Sequence, residues 1–466
     1  MSKSDLLDHK KIGQIQELFF TDEIAPGAPF WLPKGMVIFR ELEKYIRELT
    51  EKAGYVETST PIMVKNHLFK QSGHWEKFGE HNMYNLPIYE DDEILLIDKK
   101  IKEKNVEIAK RLKTLSTHVS SFELPIDLDS KKISITIILL DKQNGKYSYR
   151  LPVNYSLKPM NCPGSTVLYR FKTRSYKELP LRLSEIGRLH RREKSGEVNG
   201  LLRVRQITMD DAHIYTTEDQ ILNEVSEILD MMIAFYKSFG FKYEFRLATR
   251  PEIRAGTDDN WTKAEKDLEL ALKRKKLRFG DKKGDGAFYG PKIDVHIKDS
   301  QNREWQLATV QLDFHQPEAF KLVYTDKNGK EKRPVMIHRA IFGSFERFIA
   351  ILTEHYQGKF PLWLSPVQVT LVPIAERHVA FTRRLQEVLL QRGIRVELDS
   401  RAESMQNKIR AATLQKVPFI GIMGDKEIAA QPPSISIRGR DNKSHVLTVT
   451  EFITQLRNDI ETKIQS

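Results

Sequence analysis

The sequence of 466 residues has one cysteine, Cys162, so no disulfide framework can form within the chain. That usage suits a reducing compartment. No apolar run reaches the length of a membrane span, and the longest apolar stretches, such as 133–140, suit strands. Residues 1–20 lack both a long apolar segment and a small-residue cleavage site, and they contain Asp5, Asp8 and Glu17. Those features argue against a signal or transit peptide. A Gly-x4-Gly-Lys-Ser/Thr loop is absent, as is a Gly-x-Gly-x-x-Gly turn after a strand. Neither a P-loop nor a dinucleotide-binding turn is therefore supported. No internal repeat or low-complexity tract stands out.

What the chain does have is a basic balance. Seventy-five Lys and Arg face 63 Asp and Glu, a net charge of +12, with 40% hydrophobic residues. This fits a soluble protein of two or three domains whose partner is a polyanion. Many basic proteins bind no nucleic acid, so composition alone does not decide the matter.

Local patterns divide the chain. Residues 35–50 read as a helix, with Ile38, Leu42 and Ile46 near helical spacing. Gly54 breaks it, 55–59 has strand composition, Pro61 follows, and 67–73 looks like a short helix. Residues 87–152 behave differently. They hold an acidic cluster at 90–93, a lysine-rich helical stretch at 99–113, and two strand-like runs flanking Asn144-Gly145, a hairpin signal. With 12 basic and 11 acidic residues, this stretch reads as a charge-balanced, separately folded insert. Strands follow at 181–186, 201–207, 293–298 and 304–314, with helices at 218–239 and 261–275, and 337–356 reads as a further helix. A boundary falls within 361–366. Beyond it, strands alternate with helices, which predicts a mixed sheet. The expected domains are 1–362, carrying the insert, and 363–466.

Two constellations carry chemistry. Cys162 lies in Met160-Asn161-Cys162-Pro163-Gly164, His213 follows Asp210-Asp211-Ala212, and His338 is expected to open the helix before Gly343. One thiol and two imidazoles are the donors of a catalytic zinc site with an open fourth position. On spacing alone, a buried cysteine with two hydrogen-bonding histidines is the simpler reading. Separately, Arg191, Glu193, Arg203 and Arg205 cluster on two strand-like arms joined by a glycine-containing loop, and Arg347 lies on the next helix. Guanidinium groups grip phosphates bidentately and stack on bases. A solvent-exposed charged hairpin explains the same residues.

Taken together, the pieces resemble the signature motifs of class II aminoacyl-tRNA synthetases. The helix from Gly35, the strand and Pro61 resemble the first motif, which in the family forms the dimer interface. RLSEIGRLHRREKSG at 182–196 and LLRVRQITMDDAH at 201–213 resemble the second, and HRAIFGSFERFIAILTEH at 338–355 the third. LKPMNCPG at 157–164, GAFYGPKIDV at 286–295, WQLATVQLDF at 305–314 and RPVMIHRAIFGS at 333–344 look specifically like threonyl-tRNA synthetases. The resemblance implies an α/β (α+β) architecture: a catalytic domain on an antiparallel sheet, then a C-terminal α/β anticodon-binding domain.

It further implies one Zn2+ per subunit on Cys162, His213 and His338. Threonine would be held by Asp211, Tyr289 and Gln311. ATP, with Mg2+, would be held by Arg191, Glu193, Arg203, Gln306, Thr309 and Arg347, with Arg191 and Arg347 as the catalytic pair. Glu427, Arg438, Lys408 and Arg410 would meet the anticodon, IMGDKE at 422–427 matching that domain's turn. The implied partners are tRNA(Thr), ATP and L-threonine, in a cytoplasmic homodimer. The bacterial form carries two extra N-terminal domains, one of which hydrolyses Ser-tRNA. This chain is similar to archaeal members without that domain, so a separate trans-editing protein is expected. The insert departs from the family's shorter connection. Ile207 and Met209 stand where the family often has phenylalanine and glutamine. The alternative is a synthetase-like tRNA-binding regulatory protein that does not charge tRNA.

Overall fold

A computed structural model describes residues 6–76, 82–88, 121–128, 131–139, 147–150, 153–299 and 301–463. By contacts the chain forms two compact units, one of residues 1–60 with 160–466 and one of residues 61–159. The smaller unit is wider than the expected insert. It holds a three-stranded antiparallel sheet with Val153–Leu157 between Met63–Lys65 and Asn85–Ile88, and an antiparallel meander of Ser121–Leu128, Lys131–Leu139 and Tyr147–Arg150. The strands flanking Asn144-Gly145 do pair, Leu139 opposite Tyr147. The turn itself, the acidic cluster at 90–93 and the lysine-rich stretch at 99–113 lie outside the described residues.

The larger unit is built on an eight-stranded sheet. Its strands are β1 (Val56–Glu57), β2 (Leu181–His190), β3 (Gln206–Thr216), β4 (Tyr243–Ala248), β5 (Phe279–Lys282), β6 (Lys292–Lys298), β7 (Glu304–Asp313) and β8 (Val335–Ala340), in spatial order β5-β4-β6-β7-β8-β3-β2-β1. Pairing is antiparallel except at the two edges. Side chains alternate between faces along a strand. Ala212 and Ile214, Ile293, Val295 and Ile297, Ala308, Val310 and Leu312, and Ile337 line one face and are fully buried. The helices cover that face: α2 (Pro33–Lys52), α4 (Ile221–Ser238), α5 (Asp258–Arg274) and α6 (Phe345–His355) contribute to the same apolar cluster. Two shorter helices, α1 (His9–Ile15) and α3 (Cys162–Tyr169), flank the sheet's other elements. The opposite face carries most of the polar side chains, alongside a small apolar cluster of Leu189, Val204 and Ile207.

Two expectations are corrected here. Residues 337–356 are not one helix: 335–340 is a central strand, and the helix begins only at Phe345 after the Ser344 N-cap, whose hydroxyl accepts the Arg347 amide at 3.2 Å. A run of six buried residues on a doubly flanked strand has no alternation to distinguish it from a buried helix. Likewise Leu201 to Arg205 is loop, and β3 starts at Gln206.

On the helix side, Arg339 of β8 is fully buried, pairs with Asp210 of β3 and lies 4.8 Å from the centre of the Tyr55 ring. The second Asp210 oxygen accepts the backbone amides of Ile341 and Phe342 at 2.6 and 3.2 Å. One carboxylate thus anchors both the charge and the turn that leads into α6.

The C-terminal sheet comprises β9 (Val369–Pro373), β10 (Val396–Leu398), β11 (Phe419–Met423), β12 (Ser434–Gly439) and β13 (Ser444–Thr448), ordered β10-β9-β11-β12-β13, with its own apolar cluster. Helices α7 (Glu376–Gln391), α8 (Met405–Leu414), α9 (Asp425–Ala429) and α10 (Val449–Glu461) accompany it. It is tied to the first part of the unit by partly buried guanidiniums. Arg395 reaches Glu41 of α2 at 2.7 Å and the Trp363 carbonyl at 2.6 Å, and Arg440 donates to the Phe360 carbonyl at 2.7 Å.

Glu354, on the last turn of α6, ties the N-terminal helix to the core. It is 1% exposed and accepts the His9 amide at 3.0 Å, His9 Nδ1 at 2.7 Å, and Arg303. Burial alone raises its carboxyl, but the His9 and Arg303 hydrogen bonds outweigh this and pull it down to about 2. A depressed carboxylate contributes stability that is complete above its unfolded value of 4.5 and is lost as pH falls through the folded value. Glu354→Gln is therefore expected to lower stability by about 3 kcal/mol at pH 7. Its urea midpoint should converge on the wild-type midpoint as pH drops from 4.5 towards 2.

Candidate active site and metal centre

The polar face of the sheet is organised by register. Across β6, β7, β8 and β3, Lys292 lies opposite Gln311, Gln311 opposite His338, and His338 opposite His213. Asp211 and Asp313 stand two residues along β3 and β7 from His213 and Gln311, on the same face. Cys162 enters from outside the sheet, as the first residue of α3. Pro163 fits its first turn, where a missing N–H costs nothing. Cys162, His213 and His338 are all buried, and their ligand atoms lie within 4.8 Å of one another. Among the described residues this is the group of His, Cys, Asp and Glu arranged to hold a metal ion.

The surroundings suit a cation. His338 Nε2 donates to Asp313 Oδ2 at 2.8 Å, which leaves Nδ1 as the nitrogen available to an ion. Asp313 is fully buried and also accepts the His315 and Gln316 amides and the Gln316 side chain, at 2.8, 2.9 and 3.0 Å. Asn161 donates to Asp211 at 3.1 Å. Asn161 Oδ1 and Gln316 Oε1 are buried and have no hydrogen-bond partner among the described residues. Burial, reinforced by Asp211 and Asp313, pushes the Cys162 thiol well up. Burial likewise lifts the Asp211 carboxyl up to about 6, against the pull of His338 and Asn161. The thiol of Cys162 and the carboxyl of Asp211, both pushed up in this way, are groups that a divalent ion restores to their charged forms. Gly187 of β2 makes room for this arrangement: a Cβ there would sit 2.4 Å from Asn161 Oδ1.

Beside the triad, Tyr289 lies with its ring 4.9 Å from that of His338, and its hydroxyl donates to Gln311 Oε1 at 2.5 Å. Gln311 Nε2 in turn donates to Thr309 at 3.0 Å. The register of β6 and β7 slips by one residue between Val295 and His296, so His296 faces Gln306. That bulge returns Gln306 to the face of Thr309 and Gln311. Gln306 is exposed, towards the far end of the strand from the triad.

The arginine group gathers next to this pocket. Arg191 follows β2, and the charges it feels are those of Glu193, Asp211, Cys162 and Tyr289, while burial lowers its pKa. Arg203 is half exposed and donates to Glu193 at 3.0 and 2.7 Å and to Glu197 at 3.0 Å. Arg347 donates from Nε to the Leu202 carbonyl at 3.0 Å. Its pKa is lowered by burial and by the neighbouring Arg191 and Arg203. A cluster of partly buried guanidiniums that repel one another is a seat for a polyanion. Ile207 and Met209 share the site face of β3, where Ile207 is buried against Leu189 and Val204 with Met209 beside them.

The four expected anticodon residues are not brought to one place. Glu427 accepts the Gly424 amide at 3.0 Å, just past the end of β11. Lys408 is buried, its ammonium 3.4 Å from the Pro373 carbonyl at the end of β9, so both border the same end of the sheet. Arg438 lies opposite Ile420, towards the other end, and donates to Asn442 at 3.0 Å. Arg410 is exposed on α8.

Sequence reasoning missed Asp313, Gln316, Asn161 and Lys292. Asp313 had a signal, since it lies two residues after Gln311 on an alternating strand and so shares its face. Lys292 pairs with buried Asp294 at 2.7 Å and adds a cation to the pocket wall. Asn161 and Gln316 had none, because their roles depend on elements far apart in the chain.

Residues 146–356 match the tRNA synthetase class II core domain (G, H, P, S and T), and residues 368–459 match an anticodon binding domain. Over 457 residues the chain is 42% identical to a threonine--tRNA ligase of Clostridium novyi and 41% identical to one of Acetivibrio thermocellus. Each match covers 98% of this chain and 62% of the relative, so the chain spans about three fifths of the length of these curated relatives. A solved structure described as the RNA binding domain of threonyl-tRNA synthetase from Cryptosporidium parvum Iowa II is 33% identical, with a TM-score of 0.80 over 97% of this chain and 98% of that one.

Metal analysis of the dialysed protein is expected to find about one ion per chain. Cys162→Ala should abolish it. Asp313→Asn, which keeps all three donors, should weaken binding about 10- to 100-fold in a chelator competition.

Proposed function

The chain belongs to the class II tRNA synthetases, in the threonyl-tRNA synthetase family, and on that premise we propose that it is a threonine--tRNA ligase that activates L-threonine with ATP and transfers it to tRNA(Thr). The observation that carries this reading is the juxtaposition of the buried Cys162, His213 and His338 with Arg191, which neighbours both that group and Arg347.

Zinc is the ion that a thiolate and two imidazoles suit best, and when bound it supplies a Lewis acid that rewards the amino and hydroxyl groups of threonine. Valine is nearly isosteric but has no hydroxyl, and an apolar pocket would separate the pair poorly. Asp211 accepts from the substrate hydroxyl, while Tyr289 and Gln311, bonded to each other, close the amino acid side. Arg347 stacks on adenine, Glu193 orients the base, and Gln306 and Thr309 border the ribose. Arg203 faces the outer phosphates. Mg2+ accompanies the triphosphate as counter-charge.

In the first step the threonine carboxylate attacks the α-phosphorus in line and pyrophosphate leaves. Arg191, held between the amino acid pocket and the arginine group, stabilises the charge that builds on the α-phosphate. A ribose hydroxyl of the tRNA end then attacks the adenylate carbonyl, releasing AMP. No protein nucleophile is needed, and positioning with electrostatics supplies most of the rate. Residues 363–466 engage the anticodon, with Glu427 bordering one end of the sheet and Arg438 lying towards the other. Two copies pair through α2 and the β1 edge, and the protein works in the cytoplasm. Serine carries the hydroxyl and is smaller, so it is charged to a measurable extent.

ATP–pyrophosphate exchange tests this. Threonine should drive exchange, serine less, valine at least 100-fold less, and a chelator should suppress all of it. Exchange that does not depend on threonine would overturn this reading, and none with the ion bound would favour a tRNA-binding protein that does not charge. Arg438→Ala should raise the KM for tRNA in aminoacylation and leave exchange unchanged.

A further inference from the structure

We propose that His9 is a positioning residue for the loop that holds the nucleotide-binding arginines. The inference rests on the nucleotide site described above but concerns a residue of the N-terminal helix, far from it in sequence. Asp8 caps α1 by accepting the Lys11 amide at 2.8 Å, and His9 follows as the first helical residue, 1% exposed. Its ring is fixed at both nitrogens. Nδ1 lies 2.7 Å from Glu354 Oε1, and Nε2 accepts the Leu201 amide at 3.1 Å. An amide can donate only to a bare nitrogen, so the proton sits on Nδ1 and points at the carboxylate. The imidazole therefore bridges helix α6, which carries Arg347, to the loop between β2 and β3.

That loop is shaped around the ring. Gly200 has a positive φ of 50°, and a Cβ there would come within 2.2 Å of His9 Nε2. Lys10, next in the helix, donates to the Asn199 side chain at 3.3 Å. Immediately beyond the His9 contact, the Leu202 carbonyl receives Arg347 Nε at 3.0 Å, and Arg203 extends to Glu193. Three consecutive loop residues are thus pinned: the amide of Leu201 by His9, the carbonyl of Leu202 by Arg347, and the side chain of Arg203 by Glu193. Losing the first leaves a buried amide unsatisfied, which is costly. The loop relieves that cost by turning the amide towards water, which moves the Leu202 carbonyl and Arg347 with it.

Two substitutions separate the ring's two contacts. His9→Asn keeps a donor where Nδ1 faces Glu354 but cannot reach the Leu201 amide. His9→Gln reaches that amide with its carbonyl oxygen and gives up the Nδ1 geometry. In ATP–pyrophosphate exchange with the full chain, His9→Asn is expected to raise the KM for ATP about tenfold, the equivalent of about 1.4 kcal/mol, with the threonine KM and bound metal unchanged. His9→Gln is expected to keep the wild-type ATP KM even where its melting temperature falls. Backbone hydrogen exchange at 199–203, read without substrate, should quicken in His9→Asn and not in His9→Gln. An unchanged ATP KM in a folded His9→Asn, or equal losses in both variants, overturns the inference. If the wild type itself shows no threonine-dependent exchange, the nucleotide-site reading fails instead, and the hydrogen-exchange comparison still decides whether His9 holds the loop.

Discussion

The antiparallel register of β6, β7, β8 and β3 is the constraint on which the rest of the molecule depends. It puts Lys292, Gln311, His338 and His213 in one row across the sheet, and a slip of one residue in any strand would turn its members into the helix-covered core. The apolar face makes such a slip costly. Ala212, Ile214, Val310, Leu312 and Ile337 are fully buried there, and exchanging them for histidines and carboxylates would strand charges in an apolar layer. The hydrophobic effect that builds the core thus also aligns the site.

The same sheet carries a buried ion pair on its opposite side. Arg339 and Asp210 sit among helices, with the Asp210 carboxylate also bonded to two backbone amides at the turn after β8. Buried pairs contribute little net stability but exact a large cost when broken. Here the pair fixes where β8 ends and α6 begins, and so fixes the distance between His338 on the strand and Arg347 on the helix. Glu346 works to the same end from α6, accepting the Thr208 amide of β3 with both oxygens at 3.1 and 2.9 Å. The Cys162, His213 and His338 group and the arginine group are therefore held by one continuous set of contacts.

Much of the site could be read along the chain. Alternation of polar and apolar residues in 293–298 and 304–314 marked strands, which form at 292–298 and 304–313, and the motifs around Asp211, Tyr289, Gln311 and the arginines singled those residues out. The helix at 33–52 and the C-terminal alternation were legible through their spacing and Gly/Pro breaks. What failed was 335–340. A central strand covered on both faces has no period, and its residues Val335 to Ala340 are all buried. His338 was consequently placed at the mouth of a helix, whereas it lies within a central strand. Arg438 shows the complementary limit: a residue's type and motif do not say which end of a sheet it occupies.

By itself the sequence determined which side chains were available for chemistry: one thiol, a few histidines, a group of arginines on short-range motifs, and strands with a polar face to carry them. Those properties are local, set by residue type and by periods of two or 3.6. The tertiary structure alone decided that Cys162, His213 and His338 converge, that Asp313 holds His338 in one tautomer, and that His9 reaches across the chain to the amide of Leu201. Convergence depends on strand order, register and the seating of short helices. These are settled by how apolar faces pack across hundreds of residues, and no segment carries that information alone.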